Sequence, residues 1–352
     1  MLAALGLAAC GSSSSTKTVT AKEAANSGGG SSVGGATTLI GAGSTLVAPL
    51  MSEWQPAYDT AEKVAITYGA IGSGGGIEQI TGRSVNFGAS DAPLTPAEAT
   101  ACKGCIEIPW ALAATDVAYH VSGVPNNLKL TGPVLAEMFT GQITAWNDPQ
   151  IKQLNPGVSL PSTKIVPIHR TDGSGDTYAF TSYLSKVSPT FKSKVGNATT
   201  VSWPGGLGAK GNSGVGGALS STNGAIAYIG ISYVLENKFD SALIQNAAGQ
   251  YPAPSPTSIL AAADAVKTIP SGGTQGISLT DPPASAKGAY PISTFTYVIV
   301  PKTGSSAAVS AGLKKFIEWA VTTGQVGAQK LDFAPLPSPV VAADKQTIGL
   351  IQ

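Results

Sequence analysis

The sequence is poor in charge, in histidine and in cysteine. Only 12% of its 352 residues are charged, about half the ordinary share, and 21 basic residues nearly balance 20 acidic ones. This balance excludes the strongly basic surface that a nucleic-acid partner demands. A structural zinc site needs about four ligands, and the two histidines, His120 and His169, are not spaced to join the cysteines. We therefore predict no metal and no nucleic-acid partner.

Nucleotide and hydrolase motifs are also missing. The chain contains no G-x-x-x-x-G-K-[ST] loop, and none of its glycine-rich junctions at residues 41–46, 72–76 and 170–177 completes a G-x-G-x-x-G motif, which argues against a nucleotide cofactor. It has no G-x-S-x-G nucleophile elbow between a strand-like and a helix-like run, and no cluster of His and Asp residues of the kind that metal phosphatases use. His169 and Ser174 form the one conceivable Ser/His pair. A secreted hydrolase therefore remains an alternative, but we predict no enzyme and no cofactor.

Three glycine-rich junctions connect a strand-like run to a helix-like run, at residues 41–46, 72–76 and 170–177. The first N–H groups of a helix have no partner within the helix, and the helix dipole adds positive charge there, so such junctions bind oxyanions. Arg170 would add a planar set of donors that matches phosphate geometry. A single junction of this kind could be an ordinary capped loop. Three junctions together predict a site for a small oxyanion.

Asp91 follows a strand-like run and could serve as the selective group of such a site. A carboxylate accepts a hydrogen bond from a ligand that still carries a proton, and it repels a ligand that does not. Hydrogenphosphate has such a proton and sulfate has none. A site built around one required hydrogen bond can reject the analogue that lacks it by roughly 10⁴-fold. The alternative is that Asp91 is a turn or cap residue.

Alternating strand-like and helix-like runs up to Ala113 predict α/β layers with mainly parallel pairing. Further along the chain the patterns predict a helix over 131–140, a strand over 165–168 and an amphipathic helix around 313–320. The 352 residues are enough for two domains. Four tryptophans are assigned to core or loop packing, namely Trp54, Trp110, Trp203 and Trp319.

These motifs resemble those of the phosphate-binding protein of the bacterial high-affinity phosphate ABC transporter. The matching segments, in family order, are residues 41–45, 71–76, 87–93, 154–157, 172–175, 180–187, 201–212 and 224–228. The resemblance implies an α/β fold of the periplasmic-binding-protein type, in which two crossing strands join two lobes and the ligand lies in the cleft between them. Residues 37–119 with 291–352 would form lobe 1, and residues 120–290 would form lobe 2.

The resemblance also implies a set of phosphate-binding residues. They are Thr45, Leu46, Ser73, Asp91, Arg170, Ser174, Gly175 and Asp176. Asp172 would hold Arg170 in place. Asp176 departs from the threonine that many family members have at this position, and it matches a Gly-Ser-Gly-Asp-Thr variant of actinobacterial members. We assign its backbone N–H to the ligand, because a second acid beside a dianion is unfavourable unless it points away or itself receives hydrogen bonds.

The function that the resemblance implies is to bind inorganic phosphate outside the cytoplasmic membrane, as a monomer, and to deliver it to an ABC permease with its cytoplasmic ATPase. A related binder of sulfate, molybdate or arsenate is an alternative. Arsenate shares the proton of phosphate, so Asp91 cannot exclude it. An additional adhesive or immune-contact role is compatible with the same scaffold.

The N-terminus predicts an anchor at the outer face of the membrane. Residues 1–10 are apolar and read as a truncated lipoprotein signal segment in which Cys10 is lipidated, and residues 11–36 read as a flexible tether. An ordinary signal-peptide remnant with a chance cysteine is the alternative, and ten residues are too few to span a bilayer. Cys102 and Cys105 form a C-x-x-C pair. Redox or zinc chemistry would suit this pair in the cytosol, whereas in an exported chain it predicts a disulfide.

Overall fold

The computed structural model describes residues 38–274 and 276–352. The predicted lipidation site Cys10 and the predicted tether over 11–36 lie outside these described residues. Within them, no helix combines the length and the apolar character that crossing a membrane requires.

A curved sheet of nine strands, accompanied by a separate two-stranded pair, forms the centre of the fold. The strands are β1 (Leu39–Gly43), β2 (Ile66–Ala70), β3 (Phe87–Ser90), β4 (Cys105–His120), β5 (Lys129–Leu130), β6 (Val166–Arg170), β7 (Leu207–Ala209), β8 (Ala225–Gly230), β9 (Asp240–Ser241), β10 (Leu243–Ile244) and β11 (Ser293–Pro301). The order in the large sheet is β2-β1-β3-β11-β4-β8-β6-β7, with β9 beside β4.

The 16-residue strand β4 connects two halves of this sheet. Its residues 105–114 pair with β11, and its residues 115–120 pair with β8. We call β1, β2, β3, β11 and the first part of β4 the first sheet half, and the second part of β4 with β8, β9, β6 and β7 the second sheet half. Pairing is parallel between β1 and its neighbours and between β6 and its neighbours, but antiparallel around β4 and β11. The prediction of mainly parallel pairing therefore holds only for the outer strands.

Helices cover the faces of the sheet. They are α1 (Ala48–Glu62), α2 (Ser73–Thr81), α3 (Pro96–Ala101), α4 (Gly132–Phe139), α5 (Pro149–Leu154), α6 (Gly175–Val187), α7 (Pro189–Lys194), α8 (Gly211–Ser221), α9 (Ile231–Asn237), α10 (Pro256–Asp264), α11 (Ala307–Ala320) and α12 (Ser338–Ile348), with a 3-10 helix over Thr323–Leu331.

Local capping chemistry explains why several helices begin close to their predicted positions. Thr131 caps α4 by accepting a hydrogen bond from Val134 N, and Asp148 caps α5 in the same way. Both helices have proline in the first turn, where a missing N–H costs nothing. The prediction of a helix over 131–140 is confirmed to within one residue at each end, because the signals that start and stop it are local.

Two aromatic clusters fill the core, one on each sheet half. Trp54 and Trp110 pack edge to face with ring centroids 5.3 Å apart beside the first half. Trp203 packs on Phe139 and Tyr228 beside the second half. All four assigned tryptophans pack in or against the core, as predicted. Both aromatic clusters belong to one continuous apolar core that spans the two sheet halves.

Candidate anion-binding site

The carboxyl ends of strands from both sheet halves converge on one buried polar cluster. Ser44 and Thr45 follow β1, Ser73 follows β2, and Asp91 follows β3. From the other half, Arg170 ends β6 and α6 begins at Gly175. Ligands of open α/β sheets bind at the carboxyl ends of strands, where helices start. The side chains that line this cluster are almost fully buried, Asp91 being 1% exposed and Arg170 5% exposed.

Asp91 is held by two hydroxyl groups. Ser44 Oγ donates to it, with distances of 2.6 and 2.7 Å to its two carboxylate oxygens, and Ser73 Oγ lies 3.3 Å from Oδ2. Burial, together with the nearby Asp176 carboxylate, raises the pKa of Asp91 to about 7 against the opposing effects of Ser44, Arg170 and Ser73. Asp91 can therefore change its protonation state near neutral pH.

Arg170 lies between two carboxylates. Its Nε and Nη2 donate to Asp172 at 2.8 and 2.5 Å, and its Nη1 donates to Asp176 Oδ2 at 3.1 Å. The bidentate pair fixes the plane of the guanidinium. Burial alone would raise the pKa of Asp172, but the hydrogen bonds and charge of Arg170 outweigh burial and lower that pKa. Asp172 thus holds Arg170 through a bidentate ion pair.

The Asp176 side chain does not point away from the cluster; it receives hydrogen bonds within it. Thr115 Oγ1 donates to its Oδ1 at 2.8 Å, and Asn212 Nδ2 and Arg170 Nη1 donate to its Oδ2. Burial nevertheless raises the pKa of this carboxyl, and the Arg170 charge opposes the increase. Two buried carboxyls with raised pKa values, Asp91 and Asp176, therefore face one guanidinium.

The two sheet halves meet at the cluster through backbone contacts. Gly175 N donates to Ser73 Oγ at 3.1 Å, and Gly74 N donates to Gly173 O at 3.0 Å. A side chain at Gly175 would not fit, because its Cβ would lie 2.7 Å from Asp91 Cα and still closer to Asp91 Cβ. Glycine at this position permits the start of α6 to approach Asp91.

Besides Gly175 N, the backbone N–H groups of two further predicted binding residues are engaged within the protein. Leu46 N donates to Ser44 Oγ at 3.0 Å, and Ser174 N donates to Thr199 O at 2.9 Å. The Ser174 hydroxyl accepts from Thr177 N at 3.2 Å and so caps α6. Its O–H remains able to donate. The structure thus places all eight predicted residues at the cluster, while Leu46 N, Ser174 N and Gly175 N make intrachain bonds there.

Sequence reasoning missed three polar residues that complete the cluster, namely Ser44, Thr115 and Asn212. Ser44 and Asn212 stand inside matched segments, at 41–45 and 201–212, and their hydrogen-bonding side chains were the available signal. Thr115 has no such signal, because it lies in the middle of a buried strand and contacts Asp176 from 61 positions away. Asn212 and Thr45 are 167 positions apart in the sequence.

His169 does not pair with Ser174 in a catalytic arrangement. Its ring stacks on Trp203 with centroids 5.5 Å apart, and its Nδ1 lies 3.2 Å from the Arg170 carbonyl oxygen. A nucleophilic serine needs a base within hydrogen-bond reach. Because Ser174 Oγ caps α6 and the His169 ring packs on Trp203, the one Ser/His pair that the sequence suggested has no hydrolytic geometry.

The predicted disulfide is present between Cys102 and Cys105, at the junction of α3 and β4. The Arg83 guanidinium contacts Cys105 Sγ at 3.2 Å and the Cys102 carbonyl oxygen at 2.8 Å. Among residues 38–274 and 276–352, no group of three or more His, Cys, Asp or Glu side chains is arranged to hold a metal ion. The anion cluster is therefore the candidate site.

Known proteins share this fold and sequence. A family model described as a PBP superfamily domain matches residues 17–323. The chain is 41% identical over 302 residues to a phosphate-binding protein PstS of Xylella fastidiosa, covering 86% of this chain and 82% of that protein. It is 34% identical over 320 residues to phosphate-binding protein PstS 3 of Mycobacterium leprae, covering 86% and 84%.

A solved structure described as a high affinity periplasmic phosphate-binding protein bound with phosphate superposes with a TM-score of 0.68. The match covers 87% of this chain and 92% of that one at 21% identity, which shows a shared fold. Two α/β halves with a polar site where their strand ends meet define a two-lobed solute-binding protein. More narrowly, the sequence matches show that the chain belongs to the PBP superfamily and, within it, to the family of phosphate-binding proteins PstS.

Proposed function

We propose that the protein is an extracytoplasmic phosphate receptor that delivers inorganic phosphate to an ABC permease with its cytoplasmic ATPase. One observation carries the proposal: a buried guanidinium, hydroxyl groups and helix starts surround a carboxyl, Asp91, whose pKa is raised to about 7. Arg170 and the helix starts suit an oxyanion. The membership of the PstS family supports phosphate as that anion.

The donors of this site are the hydroxyl groups of Thr45, Ser73 and Ser174, the guanidinium of Arg170, and the N–H groups of Leu46, Gly175 and Asp176. Burying a dianion requires many charge-assisted hydrogen bonds, each contributing about 1.5–3 kcal/mol. Hydrogen bonds within the protein, such as Leu46 N to Ser44 Oγ, would be shared with or exchanged for ligand oxygens. Asp176 contributes its backbone N–H, because Thr115, Asn212 and Arg170 already bond its carboxylate.

Asp91 distinguishes a ligand that carries a proton from one that does not. When ionised it accepts a hydrogen bond from the P–O–H group of hydrogenphosphate, and it repels sulfate, which has no proton to donate. Ser44 supports this role because its two short contacts, of 2.6 and 2.7 Å, hold the carboxylate in one orientation. Arsenate carries the same proton as phosphate, so we assign this site no discrimination between those two anions.

The two sheet halves form the centres of two lobes that close on the ligand, and the boundary between the lobes falls within β4. We assign residues 37–119 with 291–352 to lobe 1 and residues 120–290 to lobe 2, joined by β4 and by the segment that leads into β11. A cavity of about 250 Å³ lies beside the cluster and is lined in part by Thr45, Asp172, Lys210 and Tyr233. This cavity offers the ligand a route between the lobes. Contacts made only in the closed state would then stabilise closure.

Outside the folded lobes, we propose lipidation at Cys10, with residues 11–36 as a tether that holds a monomer at the outer face of the cytoplasmic membrane. The apolar run before Cys10 and the Ser/Gly-rich composition after it support this assignment. The receptor acts by binding alone, in keeping with a family named for phosphate binding and with the stacked position of His169.

Isothermal calorimetry with phosphate and with sulfate tests the proposal, using the full chain and the D91N variant. We expect the wild-type protein to bind phosphate and to discriminate against sulfate by roughly 10⁴-fold. The D91N variant should lose most of this discrimination, because an amide can donate to sulfate as well as accept from phosphate. Equal affinities of the wild-type protein for both anions would refute the role of Asp91, and no phosphate binding would refute the function.

A further inference from the structure

Asn212 occupies the second position of α8 and is 0% exposed, yet all the polar groups of its side chain are bonded. Its Oδ1 accepts from Gly230 N at 2.9 Å. Since only the oxygen of an amide can accept, this bond fixes the orientation of the side chain. The NH₂ group must then face the cluster, where its two hydrogens go to Thr45 Oγ1 at 2.9 Å and to Asp176 Oδ2 at 2.8 Å.

The contact with Asn212 determines what the Thr45 hydroxyl can do. A hydroxyl group has two acceptor positions and one donor hydrogen. Thr45 Oγ1 accepts from Asn212 Nδ2 at 2.9 Å and from Asn212 N at 3.3 Å, so both acceptor positions are taken. Only the O–H remains, and it can act only as a donor. A hydroxyl restricted to donation suits an oxyanion.

The second contact determines where the Asp176 carboxylate lies. Asn212 Nδ2 and Arg170 Nη1 both donate to Asp176 Oδ2, so the amide holds this oxygen against the guanidinium. Without Asn212, the carboxylate would lose one of its three hydrogen bonds in a buried site that already contains Asp91 and Asp172. An under-bonded buried carboxylate would oppose an incoming anion.

The same side chain connects the two sheet halves. Thr45 follows β1 of the first half, whereas Asn212, Asp176 and Gly230 belong to the second half. The bond between Asn212 and Thr45 therefore forms only when the halves are together. Tyr233 OH adds a neighbouring contact of the same kind, since it donates to Thr45 O at 3.0 Å.

We propose that Asn212 is a positioning residue of the binding site. On closure of the two halves it commits the Thr45 hydroxyl to donating and holds Asp176 against Arg170, so that the cluster accepts an anion. The inference rests on the proposed function, and it adds a residue that contributes no donor to the ligand itself.

The test measures phosphate affinity by calorimetry in the full chain with the variants N212A, N212D, T45V and the double variant N212A/T45V. N212D keeps the shape of the side chain but removes the NH₂ donor. We expect N212A and N212D each to weaken phosphate binding by about 10- to 100-fold, because charge-assisted hydrogen bonds of the site are disturbed. The double variant should lose at least fivefold less affinity than the product of the two single losses, because Asn212 acts partly through Thr45.

Asn155 provides the matched control. It is also a buried asparagine, and its side chain bonds Lys129 N and O and Ile151 O away from the cluster. N155A should lower the thermal unfolding temperature of the ligand-free protein without changing phosphate affinity more than about twofold, a margin well below one hydrogen bond.

Three outcomes would overturn the inference. The first is wild-type affinity in N212D, which would show that Asn212 only fills space. The second is a double-variant loss within fivefold of the product of the single losses, which would show that Asn212 does not act through Thr45. The third, a wild-type protein that binds no phosphate, would overturn the proposed function as well, and the wild-type titration distinguishes this case from the other two.

Discussion

Replacing Gly175 by alanine should block the approach of the two sheet halves while leaving each half folded. The added Cβ would lie 2.7 Å from Asp91 Cα and closer to Asp91 Cβ, whereas ordinary van der Waals contacts begin at 3.4 Å. Asp91 Cα and Cβ are the backbone carbon and first side-chain carbon of a buried residue, so they cannot turn away as the end of a long side chain could. The halves must therefore move apart at this point.

The expected loss of affinity follows from the bonds that such a separation breaks. Gly175 N and Ser73 Oγ are 3.1 Å apart, and a separation of about 1 Å places them beyond hydrogen-bonding distance. A ligand held between the halves would lose at least two charge-assisted hydrogen bonds from one side, or about 3–6 kcal/mol in total. This corresponds to a phosphate affinity reduced by about 10²- to 10⁴-fold.

Calorimetry with phosphate measures the loss, and thermal unfolding of the ligand-free G175A variant measures whether the fold survives. Because opening of the halves relieves the clash, we expect the ligand-free unfolding temperature to stay close to that of the wild type. Gly217 offers a matched control: it is also a helical glycine, its added Cβ would meet no atom within 4 Å, and G217A should leave affinity unchanged. Phosphate affinity of G175A within threefold of wild type would refute the closed geometry as the binding state.

Two further predictions concern buried acids. In D176T the pKa of Asp91 should fall, because the Asp176 carboxylate raises it. The wild-type protein should lose phosphate affinity on acidification through about pH 7, and D176T should lose it at a lower pH. Calorimetry between pH 5 and 8 that shows no such change would contradict this coupling. Asp344 is 2% exposed, its Oδ2 has no hydrogen-bond partner, and burial raises its pKa to about 8 from 3.8. Because the pKa of Asp344 is raised, the stability that this carboxyl contributes is present at low pH and is lost as the pH rises. In denaturant unfolding between pH 4 and 7, the free energy of unfolding of D344N should therefore exceed that of the wild type by up to about 4 kcal/mol. The exposed D264N is the control, and a gain below about 1 kcal/mol would contradict the burial of a protonated carboxyl.

Helix starts were predictable because their causes lie within a few residues. Thr131 and the proline after it predict the start of α4, and Ser174 marks the start of α6 by the same chemistry. The centre of the sheet was not predictable in this way. β11 enters between β3 and β4 from almost 200 residues further along the chain, and its antiparallel pairing has no local signal.

The candidate binding residues also divide into those that short motifs indicate and those that they do not. Arg170, Asp91 and the glycine-rich junctions are recognisable as chemical types in short motifs, and motif order led from them to a phosphate-binding family. Asn212 and Thr115 are ordinary polar residues in sequence. Their importance appears only where the chain brings them to Asp176, across 36 and 61 positions.

The amino-acid sequence by itself identified the candidate donor groups, the candidate selective acid and the family, since each depends on residue type and short spacing. Only the tertiary structure decided that Asp176 is bonded by three donors, that Ser44 holds Asp91, and that Gly175 permits the two halves to meet. Such contacts join strand ends from distant parts of the chain. Their distances are set by how the whole sheet packs, and no local pattern records them.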